Sequence, residues 1–124
     1  MIEKHLLVAG RVRQPPSEGF SWVDRRFLLD FAEHLTGDAI LLYFFLAAVS
    51  DKQGLSYYRD ATVAGRLRVG EPAVAAARQE LIQHDLVAYR HPLTQVLSLP
   101  PIRVQRKGLH GIRELNRILE DTEH

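Results

Sequence analysis

Asp60-Ala61-Thr62-Val63-Ala64-Gly65-Arg66-Leu67, then Arg68-Val69-Gly70, then Glu71-Pro72 and on to Leu81-Ile82-Gln83-His84-Asp85-Leu86-Val87: this stretch decides the fold. Asp60 is suited to cap a short helix over residues 61–67, whose apolar face is Val63, Ala64 and Leu67. Arg68-Val69-Gly70 predicts a tight turn. Glu71-Pro72 opens a second helix, with proline near the first helical position, where its missing N–H is no loss. Val74, Ala77, Leu81 and Ile82 face inward along that helix, which ends near His84-Asp85.

Upstream, residues 39–49 form the longest apolar run. Thr36 can cap a helix there, and Asp38 sits where the helix dipole favours a negative charge. A helix apolar on every side is expected to be central and covered all round. Asp51-Lys52-Gln53-Gly54 ends it, with Gly54 suited to a left-handed turn, and Leu55-Ser56-Tyr57-Tyr58 reads as a short strand. Downstream, residues 86–90 and 95–99 read as two strands joined by the hairpin loop His91-Pro92-Leu93-Thr94, and Pro100-Pro101 stops the pattern. Nearer the start, Gln14-Pro15-Pro16-Ser17-Glu18-Gly19 cannot continue a helix and reads as a linker or turn. Residues 6–13 before it and 20–24 after it have strand-like composition, and Phe27, Leu28, Phe31 and Leu35 recur at helical spacing over residues 25–35.

Long helix, short strand, short helix, three-residue turn, longer helix, hairpin: over residues 36–100 this order resembles the winged helix-turn-helix family of bacterial DNA-binding proteins. Ala64 matches the small residue by which that family's first short helix packs under the second. Residues 81–87 match its exit into the wing, leucine, a few polar residues, then leucine–valine. Asp85 stands where the family often has glycine, a mild departure, since Asp tolerates unusual backbone angles better than most residues. The resemblance implies a mainly α fold with a small β wing, a winged helix-turn-helix carrying N- and C-terminal extensions. The expected organisation is an N-terminal strand and linker over residues 1–19, the winged helix domain over 20–100, and a basic amphipathic helix over 101–124.

Composition sets the outer bounds. The chain has 124 residues, 46% apolar and 25% charged, which suits one globular domain. Lys and Arg number 16 against 15 Asp and Glu, so any nucleic-acid site must be a local patch rather than a global excess. The absence of cysteine excludes disulfides, thiolate catalysis and cysteine-based zinc sites. The first ten residues carry too short an apolar run for a signal peptide, and residues 39–49 fall short of the roughly 18–20 needed to cross a bilayer. The expectation is a soluble, cytoplasmic protein with no membrane partner.

The resemblance implies that the second helix of the pair enters the major groove of double-stranded DNA. Its outward positions are Glu71, Pro72, Ala75, Ala76, Gln79 and Gln83, of which Gln79 and Gln83 can form the hydrogen-bond pairs used to read bases. Arg78 falls at the boundary of the buried face. Arg59, Arg66, Arg68, and Arg90 beside His91 are candidates for phosphate contacts. Between positions 59 and 91, however, five arginines face the four acids Asp60, Glu71, Glu80 and Asp85. A stronger basic cluster follows, with Arg103, Arg106, Lys107, Arg113 and Arg117 opposed by Glu114. Leu109, Ile112, Leu115, Ile118 and Leu119 recur there at helical spacing, which suits either a helix presenting its cations to DNA or an acidic partner, or a solvated helix completing the core.

Signs of catalysis are missing. The six histidines, at 5, 34, 84, 91, 110 and 124, show no metal-ligand spacing, and Ser56 and Ser98 have no glycine-elbow context. Gly65-Arg66-Leu67-Arg68-Val69-Gly70 lacks the lysine and Ser/Thr of a phosphate loop. Tyr57, Tyr58 and Trp22 are expected in packing rather than in stacking on a ligand. The sequence therefore predicts a binding module and not an enzyme, with no cofactor and no metal. Its first reading is a DNA-binding protein, a transcription regulator or an accessory factor for replication or a mobile element, dominated by phosphate contacts. The alternative is an adaptor or assembly subunit that binds a protein partner or itself, which any uncovered part of the helix over 39–49 would favour.

Overall fold

Thr36 starts the first α-helix. Its hydroxyl accepts the Ala39 N–H at 3.2 Å, and α1 then runs over Gly37–Val49. The cap satisfies one of the backbone donors that a first turn leaves free. The computed structural model describes residues 2–101, which fall into a unit spanning Ser21–Pro101 and a second unit that includes residues 2–20.

Within Ser21–Pro101, α1 is followed by β1 (Leu55–Ser56), α2 (Asp60–Leu67), α3 (Glu71–Gln83), β2 (Val87–Arg90) and β3 (Leu93–Val96). The protein is thus mainly helical with a small three-stranded antiparallel sheet, in the order β1-β3-β2. Leu55 lies opposite Gln95, and Val87 opposite Val96. Two left-handed residues make the corners. Arg68, at φ 60°, closes α2 and lets the Val69 N–H return to the Ala64 carbonyl at 3.1 Å. Asp85, at φ 61°, does the same after α3, where the Leu86 N–H reaches the Leu81 carbonyl at 3.0 Å. An aspartate fills that corner because its short polar side chain tolerates the left-handed region better than a branched one would.

The core gathers Leu42, Tyr43 and Leu46 of α1, Val63 and Ala64 of α2, Val74, Ala77 and Leu81 of α3, and Leu86 and Val87 where α3 passes into β2. The inward positions expected for α2 and α3 are those that pack, with Leu67 and Ile82 at the margin. Phe27 joins from outside the helices by stacking on Tyr43, ring centroids 3.8 Å apart and planes 5° from parallel.

Several local expectations fail, each for a reason. Residues 6–13 form no strand; one short helical turn, Ala9–Arg11, lies there with every residue exposed. Residues 20–24 are likewise not a strand; β1 and β2 pair only with β3, and nothing in the described sheet pairs with residues 20–24. Residues 25–35 are helical but irregular. Phe27–Phe31 makes one wide turn, with the Ala32 N–H bonded to the Phe27 carbonyl, and a tight turn over Ala32–His34 follows. Phe27 is buried, and Leu28, the next residue round the turn, is exposed. Asp60 is the first residue of α2 rather than its cap; Arg59 holds the cap position without a side-chain hydrogen bond. The hairpin turn is His91-Pro92 alone, with a cis peptide between them, because β2 and β3 pair as far as Arg90 and Leu93.

The largest departure concerns α1. Among the described residues it is not covered all round: Leu41, Phe44 and Ala48 lie exposed along one side. Trp22, Tyr57 and Tyr58 are exposed too, although Tyr58 also packs edge-on against Phe45 with centroids 5.3 Å apart. Two helices and a small sheet are too few to enclose a wholly apolar helix in a unit of this size. Among the described residues no helix is long and apolar enough to cross a membrane.

Candidate nucleic-acid interface

The exposed side of α3 is built by what the other side must do. Burying Val74, Ala77 and Leu81 at three- and four-residue steps turns Glu71, Pro72, Ala75, Ala76, Gln79 and Gln83 outward, and all six are exposed. The result is a nearly neutral, low-profile surface whose longer polar side chains are Glu71, Gln79 and Gln83.

Around it the charges divide into those already engaged and those that are not. Arg78 is engaged. Its guanidinium pairs with the Asp60 carboxylate at the head of α2 and lies 4.3 Å from the centre of the Tyr89 ring on β2. Tyr89 Oη in turn lies 3.0 Å from His91 Nδ1. One chain of contacts, Asp60–Arg78–Tyr89–His91, therefore ties α2, α3 and the hairpin turn together. Arg78 is 14% exposed, so its charge is spent inside this chain rather than offered to a ligand.

Glu80 is engaged as well. Its two carboxylate oxygens accept the Thr36 N–H at 2.6 Å and the Thr36 hydroxyl at 2.8 Å, turning its charge toward the head of α1. Of the five arginines and four acids between positions 59 and 91, this leaves four arginines, Arg59, Arg66, Arg68 and Arg90, against two acids, Glu71 and Asp85. All four arginines are exposed, and among the described residues none pairs with a carboxylate. A sequence excess of one charge becomes an excess of two among the groups that can meet a ligand.

Position in the fold distinguishes the four. Arg59 stands at the cap of α2, Arg66 in its last turn, and Arg68 at the left-handed corner before α3. Arg90 ends β2 beside the hairpin turn, where His91 is exposed and held by Tyr89. Arg66 and Arg68 thus lie at the corner before α3, with Arg59 at the other end of α2 and Arg90 at the hairpin, and a guanidinium fork suits phosphate at each. The candidates Arg103, Arg106 and Lys107, and the expected helix that carries them, lie outside the described residues. The Asp60–Arg78–Tyr89 chain was not foreseen as a unit, although Arg78 at the edge of the buried face was its one visible sign. Among the described residues no three His, Asp or Glu side chains gather as a metal site would require.

A scan against protein-family models, a search of curated proteins and a search of solved structures found no match to this chain.

Proposed function

We propose that residues 36–100 form a winged helix-turn-helix that binds double-stranded DNA without catalysis, gripping phosphates more than it reads bases. Support comes from the element order α1-β1-α2-α3-β2-β3, the sheet order β1-β3-β2 and the exposed, largely apolar-and-amide face of α3. The observation that carries the reading is the sorting of charge: Arg78 and Glu80 are engaged internally, while Arg59, Arg66, Arg68 and Arg90 stand exposed and, among the described residues, without a carboxylate partner.

In this reading α3 enters the major groove with Gln79 and Gln83 facing base edges, and Ala75 and Ala76 allow close approach. The arginines at the corners and the hairpin turn hold the backbone on either side. Two amides give little sequence information, so phosphate contacts supply most of the affinity.

Anisotropy titrations of a labelled duplex at rising salt test this. Affinity should fall steeply with salt, and replacing Arg59, Arg66 or Arg90 with alanine should each lower the logarithmic salt slope by about one. Gln79→Ala should leave the slope unchanged and narrow the difference between duplexes of different sequence. Absence of binding even at low salt would reject the proposal.

A further inference from the structure

We propose that the side of α1 left exposed by the described residues is a self-association face whose occupant is a second copy of this chain. This inference is independent of the DNA reading. Leu41, Phe44 and Ala48 succeed one another at three- and four-residue steps and so form one strip along the helix. Leu41 is 42% exposed and Phe44 63%, and Ala48 is exposed beyond them. The segment before α1 lies alongside it, pinned by the Ser21 hydroxyl donating to the Ala48 carbonyl at 3.0 Å and by the stacking of Phe27 on Tyr43. Between those pins Trp22 and Val23 remain exposed, Trp22 at 76%. Large apolar side chains exposed together in this way mark an association surface rather than scattered surface residues.

Two properties of the strip match a second copy. The first is size. Leu41 lies three residues before Phe44 and Ala48 four residues after it. Two antiparallel copies of α1 crossing at Phe44 therefore bring the large leucine of one against the small alanine of the other, at both ends alike. The second is charge. Asp38 is exposed in the first turn of α1, and Lys52 is exposed just past its last. Asp51, between helix and lysine, is held in its own turn, where Oδ1 accepts the Gln53 and Leu55 N–H groups at 2.8 and 2.9 Å. A twofold axis at Phe44 sets the carboxylate at one end of each copy near the ammonium at the far end of the other. Opposite ends of opposite charge around a central apolar strip are what an isologous interface requires.

Sedimentation velocity of the full chain over a wide micromolar range tests this. The wild-type protein should reach a dimer, and Phe44→Glu should weaken dimerisation by at least about thirtyfold, the loss usual for an anchor at an interface centre. Because Phe44 is exposed, the variant should match the wild-type thermal melt at concentrations where both are monomeric, and Phe44→Ala should weaken association in the same direction. Lys52→Glu alone should also weaken the dimer, and Asp38→Lys combined with Lys52→Glu should restore it. A wild-type chain that stays monomeric throughout, a Phe44→Glu variant that associates as before, or a double charge exchange that fails to restore association would each overturn the proposal.

Discussion

Glu80 on α3 caps α1 from outside: its carboxylate takes the Thr36 backbone N–H at 2.6 Å and the Thr36 hydroxyl at 2.8 Å, while that hydroxyl still accepts the Ala39 N–H at 3.2 Å. A helix cap is normally completed by residues of its own first turn. Here the acidic half comes from another helix, so the head of α1 and the last turn of α3 are joined by charge-assisted bonds.

Removing either side should therefore cost more than an isolated cap. Glu80→Ala and Thr36→Ala should each destabilise the fold by about 1–2 kcal/mol. The double variant should lose less than the sum of the two, because they break the same bonds. Urea unfolding of the four proteins measures the coupling, and additive losses would show that the two residues act separately.

Arg78 and the exposed arginines should separate cleanly. Arg78 is enclosed by Asp60 and the Tyr89 ring, so Arg78→Ala leaves the Asp60 charge unpaired and the ring uncovered. A loss of about 1–3 kcal/mol in chemical denaturation is expected. Arg59→Ala should change stability by no more than about 0.5 kcal/mol, since Arg59 is exposed and makes no ion pair among the described residues.

The three helices were legible because local signals and packing agree there. Thr36 caps, Pro72 opens, and Val74, Ala77 and Leu81 repeat at the spacing that buries one face. Asp85 takes φ 61°, a conformation that aspartate tolerates better than most residues. Residues 6–13 misled because an apolar run becomes a strand only when a neighbour takes its hydrogen bonds, and no local pattern reveals a missing neighbour. The site was half legible. Exposure of Gln79 and Gln83 follows from periodicity, but Glu80 meets Thr36 across 44 residues of sequence. A side chain's partner at that distance is set by the packing of α3 on α1, and simple charge counting therefore misjudged the surface.

Gly54 answers two demands at once. It takes φ 85° at the turn into β1, and a Cβ there would lie 2.5 Å from the Val96 carbonyl oxygen. The same glycine accepts the Val96 N–H at 2.8 Å, so the strain cannot be relieved without opening the join between β1 and β3. Gly54→Ala should destabilise the protein by about 2 kcal/mol or more, read as a lowered denaturation midpoint.

Tyr43 should make the fold sensitive to alkali. Burial, and secondarily the Asp24 carboxylate, push its phenol above the ordinary tyrosine range. The unfolded chain therefore loses this proton at lower pH than the folded one. Stability should be unaffected by Tyr43 below the usual tyrosine pKa and should fall as pH rises from there through the raised value. Tyr43→Phe, which keeps the ring stacked on Phe27, should remove that part of the alkaline loss; melting temperatures across that range compare the two proteins.

Arg68 offers the sharpest separation of folding from binding. It sits at φ 60°, where a side chain adds strain that glycine does not feel, and its guanidinium is exposed without an ion pair among the described residues. Arg68→Gly should hold or raise stability by up to about 1 kcal/mol, as Asp85→Gly should at the matching corner after α3. The two should then diverge on DNA. Arg68→Gly should weaken duplex binding and lower the salt slope by about one, whereas Asp85→Gly removes an acid and should strengthen it at low salt. Melting curves with anisotropy titrations on both variants read the two effects independently. If Arg68→Gly bound duplex as tightly as the parent, the corner would be a structural turn and no part of a phosphate contact.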